Sequence, residues 1–175
     1  MKRRLRILLT GFMGAGKTTV ARALARLLGC DAVSLDDLIT RLEGRTPRAL
    51  IDEEGEDYFR DAETRALRRA LEAEPARVID TGGGAWTLPR NRALAAAHDC
   101  LAVWLDAPFD LCWQRITAGA GPNQRPLARD RAHAERLHAE RRAAYRLAAL
   151  HIQVTPERGV EELAAEIARA ARAGG

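Results

Sequence analysis

Short apolar runs recur along the chain at "LRILLTG" (5–11), "DAVSLD" (31–36), "RVIDTG" (77–82), "CLAVWLD" (100–106) and "HIQVT" (151–155). Each is too short for a helix and is closed by turn formers or charges, the pattern of strands buried on both faces. Between them apolar positions return at helical spacing, first at Val20, Leu24, Leu27 and Leu28, then at Leu38, Ile39 and Leu42. Thr46 before Pro47 predicts a further helix start, with proline at the first helical position. Other helices are predicted over about 56–73, 89–97, 108–117, 130–148 and 159–172. Strands alternating with helices define an α/β domain whose parallel sheet is covered on both faces. Five runs predict five strands, and with no repeat or linker the expectation is a single domain over residues 1–175. One segment fits neither periodicity: "TAGAGPNQRPLARD" (117–130) is rich in glycine, proline and small residues, and a loop of that length in a compact domain is expected to be functional and mobile.

Composition narrows the class. A chain of 175 residues buries a core without disulfide or metal support. The longest apolar stretches fall far short of a membrane span, and the apolar part of "MKRRLRILLTG" runs straight into a glycine loop, against a signal peptide. Three cysteines, Cys30, Cys100 and Cys112, are odd in number and lack metal-ligand spacing, which fits a reducing cytoplasm. The net charge of +4 comes from scattered arginines with few aromatics among them, so no nucleic-acid surface is expected. Lysine occurs only at positions 2 and 17.

The second of those lysines stands in "GFMGAGKT" (11–18), a G-x-x-x-x-G-K-[ST] loop that follows a predicted strand and opens a predicted helix. Gly11, Gly14 and Gly16 let backbone N–H groups turn inward around an anion, with Ala15 between them in the nucleotide-binding loop, and the helix N-terminus adds its positive dipole end. Lys17 reaches the β- and γ-phosphates, Thr18 offers a hydroxyl to Mg²⁺, and Thr19 extends the cradle. A nucleoside triphosphate is the expected ligand. The guanine motif N/T-K-x-D is absent, which favours ATP.

Further pieces follow in order: Asp36 after the second strand, "GEDYFRDAE" (55–63), "TGGGA" (81–85), "RPL" (125–127) and "ERRAAYR" (140–146). Together with the phosphate loop they resemble the shikimate kinases, in the nucleoside-monophosphate-kinase-like branch of small P-loop kinases, over nearly the whole chain. The resemblance implies a three-layer P-loop kinase fold with a mobile lid at about 117–130, a shikimate-binding helical region at about 36–63, and a cytoplasmic monomer. It implies transfer of the ATP γ-phosphoryl group, with Mg²⁺, to shikimate, giving shikimate 3-phosphate for aromatic amino-acid biosynthesis. Arg60 and Arg141 would grip the carboxylate, for which paired guanidinium forks are suited. Glu63 would fix the Arg60 fork, and Asp36 would orient or deprotonate the attacking hydroxyl, against the alternative that it merely caps a helix. Arg125 would swing onto the transferring group, and Arg115 and Pro156 would flank adenine.

The three glycines Gly82, Gly83 and Gly84 leave a strand end without side chains, so that a substrate ring can approach the backbone. Two positions depart from the family pattern. Where the family carries D-x-D after the second strand, its first aspartate near the metal, this chain reads "SLD" with Ser34. At the end of the third strand it carries Asp80, in the form of a Walker B aspartate, and the expectation is that Asp80 supplies the metal-side charge Ser34 lacks. Asp106 in "VWLDAP" competes for that role but ranks below it, and Thr40, where an acidic residue is common, has no account. These departures leave open a kinase for another polyol acid such as quinate or gluconate, or a nucleotide-dependent regulatory module without turnover. The four histidines do not cluster and are expected at the surface or at strand ends; Trp86, Trp104 and Trp113 are expected to pack rather than bind.

Overall fold

The computed structural model describes residues 5–73, 75–119 and 130–173. Five strands, β1 (Ile7–Thr10), β2 (Ala32–Ser34), β3 (Val78–Asp80), β4 (Leu101–Asp106) and β5 (Leu150–Gln153), form one sheet in the order β2-β3-β1-β4-β5. Every pairing is parallel, with Leu9 opposite both Asp80 and Val103, and Ser34 opposite Asp80. β1 and β3 are buried throughout, as the unbroken apolar runs require. The edge strands β2 and β5 are partly exposed and shorter than their apolar runs.

Among the described residues eight helices flank the sheet: α1 (Lys17–Leu28), α2 (Leu35–Glu43), α3 (Pro47–Glu54), α4 (Glu56–Glu72), α5 (Pro89–Ala97), α6 (Phe109–Ala118), α7 (Arg131–Tyr145) and α8 (Val160–Ala173). This is the three-layer α/β arrangement of a P-loop kinase. α1 packs along α8, and α4 packs against both α2 and α3. Leu8, Leu24, Ile79, Val103, Ile152 and Ile167 lie at the centre of the core with no exposed surface. Thr46 caps α3 by accepting from the Ala49 amide at 3.2 Å, with Pro47 behind it.

α7 stops at Tyr145, short of the predicted 148: the Leu147 and Ala148 amides donate back to Ala144 and Tyr145, a tight turn that leads into β5. His138, expected at the surface, is 8 % exposed. Its ring meets Phe12 edge-on with centroids 5.0 Å apart and Phe109 at 5.5 Å, and its Nε2 lies 3.1 Å from the Ala107 carbonyl oxygen. It sits on the inner stripe of α7, which the histidine spacing alone does not reveal. Trp86 and Trp104 are buried, while Trp113 stacks on Phe109 at 6.1 Å. No helix among the described residues is long and apolar enough to cross a membrane.

Candidate active site

β1 lies between β3 and β4, so crossovers leave it in both directions and a crevice opens beyond its carboxyl end. The segment after Thr10 fills that crevice and enters α1 at Lys17. Gly14 has φ +78°, and a Cβ there would stand 2.6 Å from the Cys112 carbonyl oxygen of α6, so only glycine fits. Arg115, one turn further along α6, donates from Nη1 to the Gly14 and Ala15 carbonyls at 3.2 and 3.3 Å. Lys17 is 8 % exposed and donates from Nζ to the carbonyls of Gly11 (2.8 Å) and Phe12 (3.0 Å). The ammonium is thus held against the loop beside the first-turn N–H groups of α1, the groups a helix leaves without internal partners.

Thr18 Oγ1 donates to Asp80 Oδ2 at 2.6 Å. Asp80 ends β3 and is 6 % exposed; Ser34, its register partner on β2, has no carboxylate and instead caps α2, accepting from the Asp37 amide at 3.4 Å. The capping role weighed for Asp36 therefore belongs to Ser34. Asp36 lies in the first turn of α2. Asp106 accepts from Arg142 and Gln153, a structural engagement on the far side of the loop from Thr18.

The glycine run after β3 has a spatial explanation. None of Gly82, Gly83 and Gly84 adopts a positive φ, so the run does not serve an unusual backbone conformation. A Cβ on Gly82 would lie 3.1 Å from Glu63 Oε1 and 3.3 Å from Asp36 Oδ1, and one on Gly83 would lie 3.2 Å from Arg141 Nη1. One on Gly84 would overlap the Arg60 guanidinium, 2.6 Å from Nη2. Two carboxylates and two guanidinium groups thus converge on a floor stripped of side chains. Arg60 Nη1 donates to Glu63 at 2.8 Å and Nη2 to Glu56 at 3.1 Å. Burial raises the pKa of Glu63, which is 1 % exposed; Arg60 opposes the shift, Asp36 adds to it and Arg141 counters it.

Tyr145, in the "ERRAAYR" segment but given no role from sequence, donates its phenol to the Gly83 carbonyl at 2.6 Å. Burial pushes its pKa up to about 12, which keeps it a neutral donor. Its place four residues after Arg141, on the same helical face, was the available signal. Thr81 was also missed: its amide and hydroxyl both donate to the Leu9 carbonyl, at 3.1 and 2.9 Å, and so seat the glycine turn on β1.

One cavity of about 220 Å³ is lined by Gly14, Lys17, Thr18, Asp36, Asp80 and Gly82, among others. It joins the phosphate loop to Asp36 and the glycine turn. Thr19 is exposed on α1, and Pro156 is exposed in the turn after β5. Arg125 lies outside the described residues.

A glycine loop that opens a helix at the switch point of a parallel sheet marks the P-loop nucleotide-binding proteins, and the chain falls in that class. Within it the chain belongs to the shikimate kinase family, whose profile matches residues 13–172. It is 37 % identical over 123 residues to a shikimate kinase of Ruegeria pomeroyi, covering 70 % of this chain and 60 % of that one. It is 42 % identical over 126 residues to a shikimate kinase of Salinibacter ruber, covering 72 % and 60 %. The match thus spans about 60 % of the length of these curated relatives. The solved shikimate kinase of Acinetobacter baumannii in complex with shikimate superimposes with a TM-score of 0.85 at 33 % identity, covering 97 % of this chain and 94 % of that one.

Proposed function

We propose that the protein transfers the γ-phosphoryl group of ATP to shikimate, giving shikimate 3-phosphate. The observation that carries this reading is the single cavity in which Lys17 and Thr18 of the phosphate loop face Asp36 and the glycine turn. A nucleotide bound on the loop and a hydroxylated acid bound on the turn would meet in it.

Each side chain then has a task. Gly14, Ala15, Gly16 and Thr19 frame the phosphates, and Lys17 turns from the loop carbonyls to them. Arg141 and Arg60 hold the acceptor's carboxylate, with Glu63 keeping the Arg60 fork in place; charge-assisted bonds of this kind contribute about 1.5–3 kcal/mol each. Asp36 accepts from the ring hydroxyl and aims it along the line of transfer. Gly82, Gly83 and Gly84 let the ring lie against the backbone. Arg115 and Pro156 border the nucleotide, and Arg125 supplies positive charge to the transferring group. The Thr18 hydroxyl and the Asp80 carboxylate, 2.6 Å apart, are hard oxygen donors suited to Mg²⁺. Held by these two residues, Mg²⁺ would supply positive charge against the charge that develops on the transferring group. The protein is placed in the cytoplasm, in keeping with three free thiols, and is taken to act as a monomer.

The test is ADP release by the purified protein with ATP and Mg²⁺, comparing shikimate, quinate, gluconate and no acceptor, with Asp36→Ala alongside. Shikimate-dependent release abolished by the substitution supports the reading. Release with quinate or gluconate in preference reassigns the acceptor, and nucleotide binding without acceptor-dependent release makes the protein a regulatory module.

A further inference from the structure

Asp106, considered from sequence as a metal-side carboxylate, has a different set of neighbours. It ends β4, is 9 % exposed, and both its oxygens are engaged by other elements. Oδ1 accepts from Arg142 Nη1 at 2.6 Å; Oδ2 accepts from Arg142 Nη2 at 3.3 Å and from Gln153 Nε2 at 2.9 Å. The Arg142 guanidinium lies 4.8 Å above the Trp104 ring, so its plane as well as its charge is fixed. One turn earlier on α7, His138 bonds the carbonyl of Ala107, the residue after Asp106. Residues 138 and 142 therefore form one stripe of α7, tied twice to the end of β4.

The adjacent stripe has a different partner. Arg141 and Tyr145, also four apart, face the glycine turn: Tyr145 donates to the Gly83 carbonyl, and Arg141 Nη1 stands 3.2 Å from where a Gly83 Cβ would be. Consecutive helix residues project about 100° apart, so the rotation of α7 about its axis decides both stripes together. A charge-assisted fork onto a nearly buried carboxylate restrains that rotation.

We infer that Asp106, acting through Arg142, is a positioning residue that sets the rotation of α7 and so aims Arg141 at the acceptor's carboxylate. The inference rests on the reading that Arg141 grips that carboxylate. It assigns the end of β4 a part in acceptor affinity although Asp106 touches no reactant.

The test is steady-state kinetics on the full chain with Asp106→Asn, Arg142→Gln, the double variant and Arg142→Lys, with Arg141→Met as reference. In each single Asn or Gln variant the shikimate KM rises about ten-fold while the ATP KM stays within about two-fold, a misplacement effect confined to one substrate. The double variant is no worse than Arg142→Gln, because both substitutions break one link. Arg142→Lys, which keeps the charge and loses the fork, falls between and guards against a variant that fails to fold. A fall in melting temperature with both KM values unmoved, an equal rise in both, or additive effects in the double variant would each overturn the inference. Arg141→Met without effect on the shikimate KM overturns the reading beneath it as well; an effect of Arg141→Met alone overturns only the role of Asp106.

Discussion

The Thr18 hydroxyl donates to the Asp80 carboxylate across 2.6 Å, which ties the first turn of α1 to the end of β3. Asp80 is opposite Ser34 in the sheet register, so of the β2 and β3 ends only β3 presents a carboxylate there. Asp80→Ala is expected to raise the Mg²⁺ concentration needed for half-maximal rate and to lower kcat by about ten-fold or more. It should also weaken the Mg²⁺-dependent part of ADP binding measured by calorimetry. Ser34→Ala should leave both nearly unchanged and remove only a weak helix cap, about 0.5 kcal/mol of stability. Small and equal effects from the two substitutions would refute the assignment.

Gly84→Ala tests whether the glycine run exists to make room. The added methyl group would overlap the Arg60 guanidinium, whose nitrogens are already engaged by Glu63 and Glu56. Arg60 must then leave its place over the turn. The expected result is a shikimate KM raised about ten-fold, an ATP KM unmoved and a small change in melting temperature. An unchanged shikimate KM would mean that Arg60 is not held where the acceptor binds.

Gly14→Ala separates the nucleotide side from the acceptor side. The substitution meets both a left-handed backbone and the Cys112 carbonyl, so the loop must deform or α6 must retreat. Strain of this sort costs about 1–3 kcal/mol. Thermal shift should show a lower melting temperature and loss of the stabilisation that ADP with Mg²⁺ confers on the unsubstituted protein. Retained nucleotide stabilisation would show that the loop tolerates a side chain there.

The elements of the fold were legible because buried parallel strands and amphipathic helices leave periodic traces: β1 to β4 fall within their apolar runs, and β5 starts one residue before its run. Their ends were less so: β2, β3 and β5 cover only part of their runs, because the ladder ends where the partner strand ends and composition does not mark that point. The site was legible where chemistry requires a residue type at a fixed spacing, as in Lys17 and Thr18 of the loop or Arg60 and Glu63 on one helical face. Roles set by register and by facing elements left no local trace. Asp106 as the partner of Arg142 and Tyr145 on the Gly83 carbonyl each depend on segments far apart in sequence, whereas the Ser34 cap is local, three residues from Asp37. The glycine run was legible as an absence of side chains, but its occupants, four charged groups from three helices, became evident only in the packed structure.

His138 links stability to pH. Burial among Phe12 and Phe109 lowers its pKa below the ordinary value; Arg142 nearby adds to that, while the Ala107 carbonyl, Asp106 and Glu135 work against it. A group with a depressed cationic pKa binds its proton more weakly in the folded chain than in the unfolded one, so stability rises with pH wherever only the unfolded chain is protonated. That window begins near the unfolded histidine value of about 6.5 and extends down to the lowered folded value. His138→Phe removes the titration and also the bond to Ala107, so at pH 8 the variant should melt at a lower temperature than the unsubstituted protein. On acidification to pH 5.5 the unsubstituted protein alone carries the protonation penalty at this site, and the gap between the two melting temperatures should narrow. A gap that stays constant or widens would show that His138 accepts its proton at least as readily in the folded protein as in the unfolded chain.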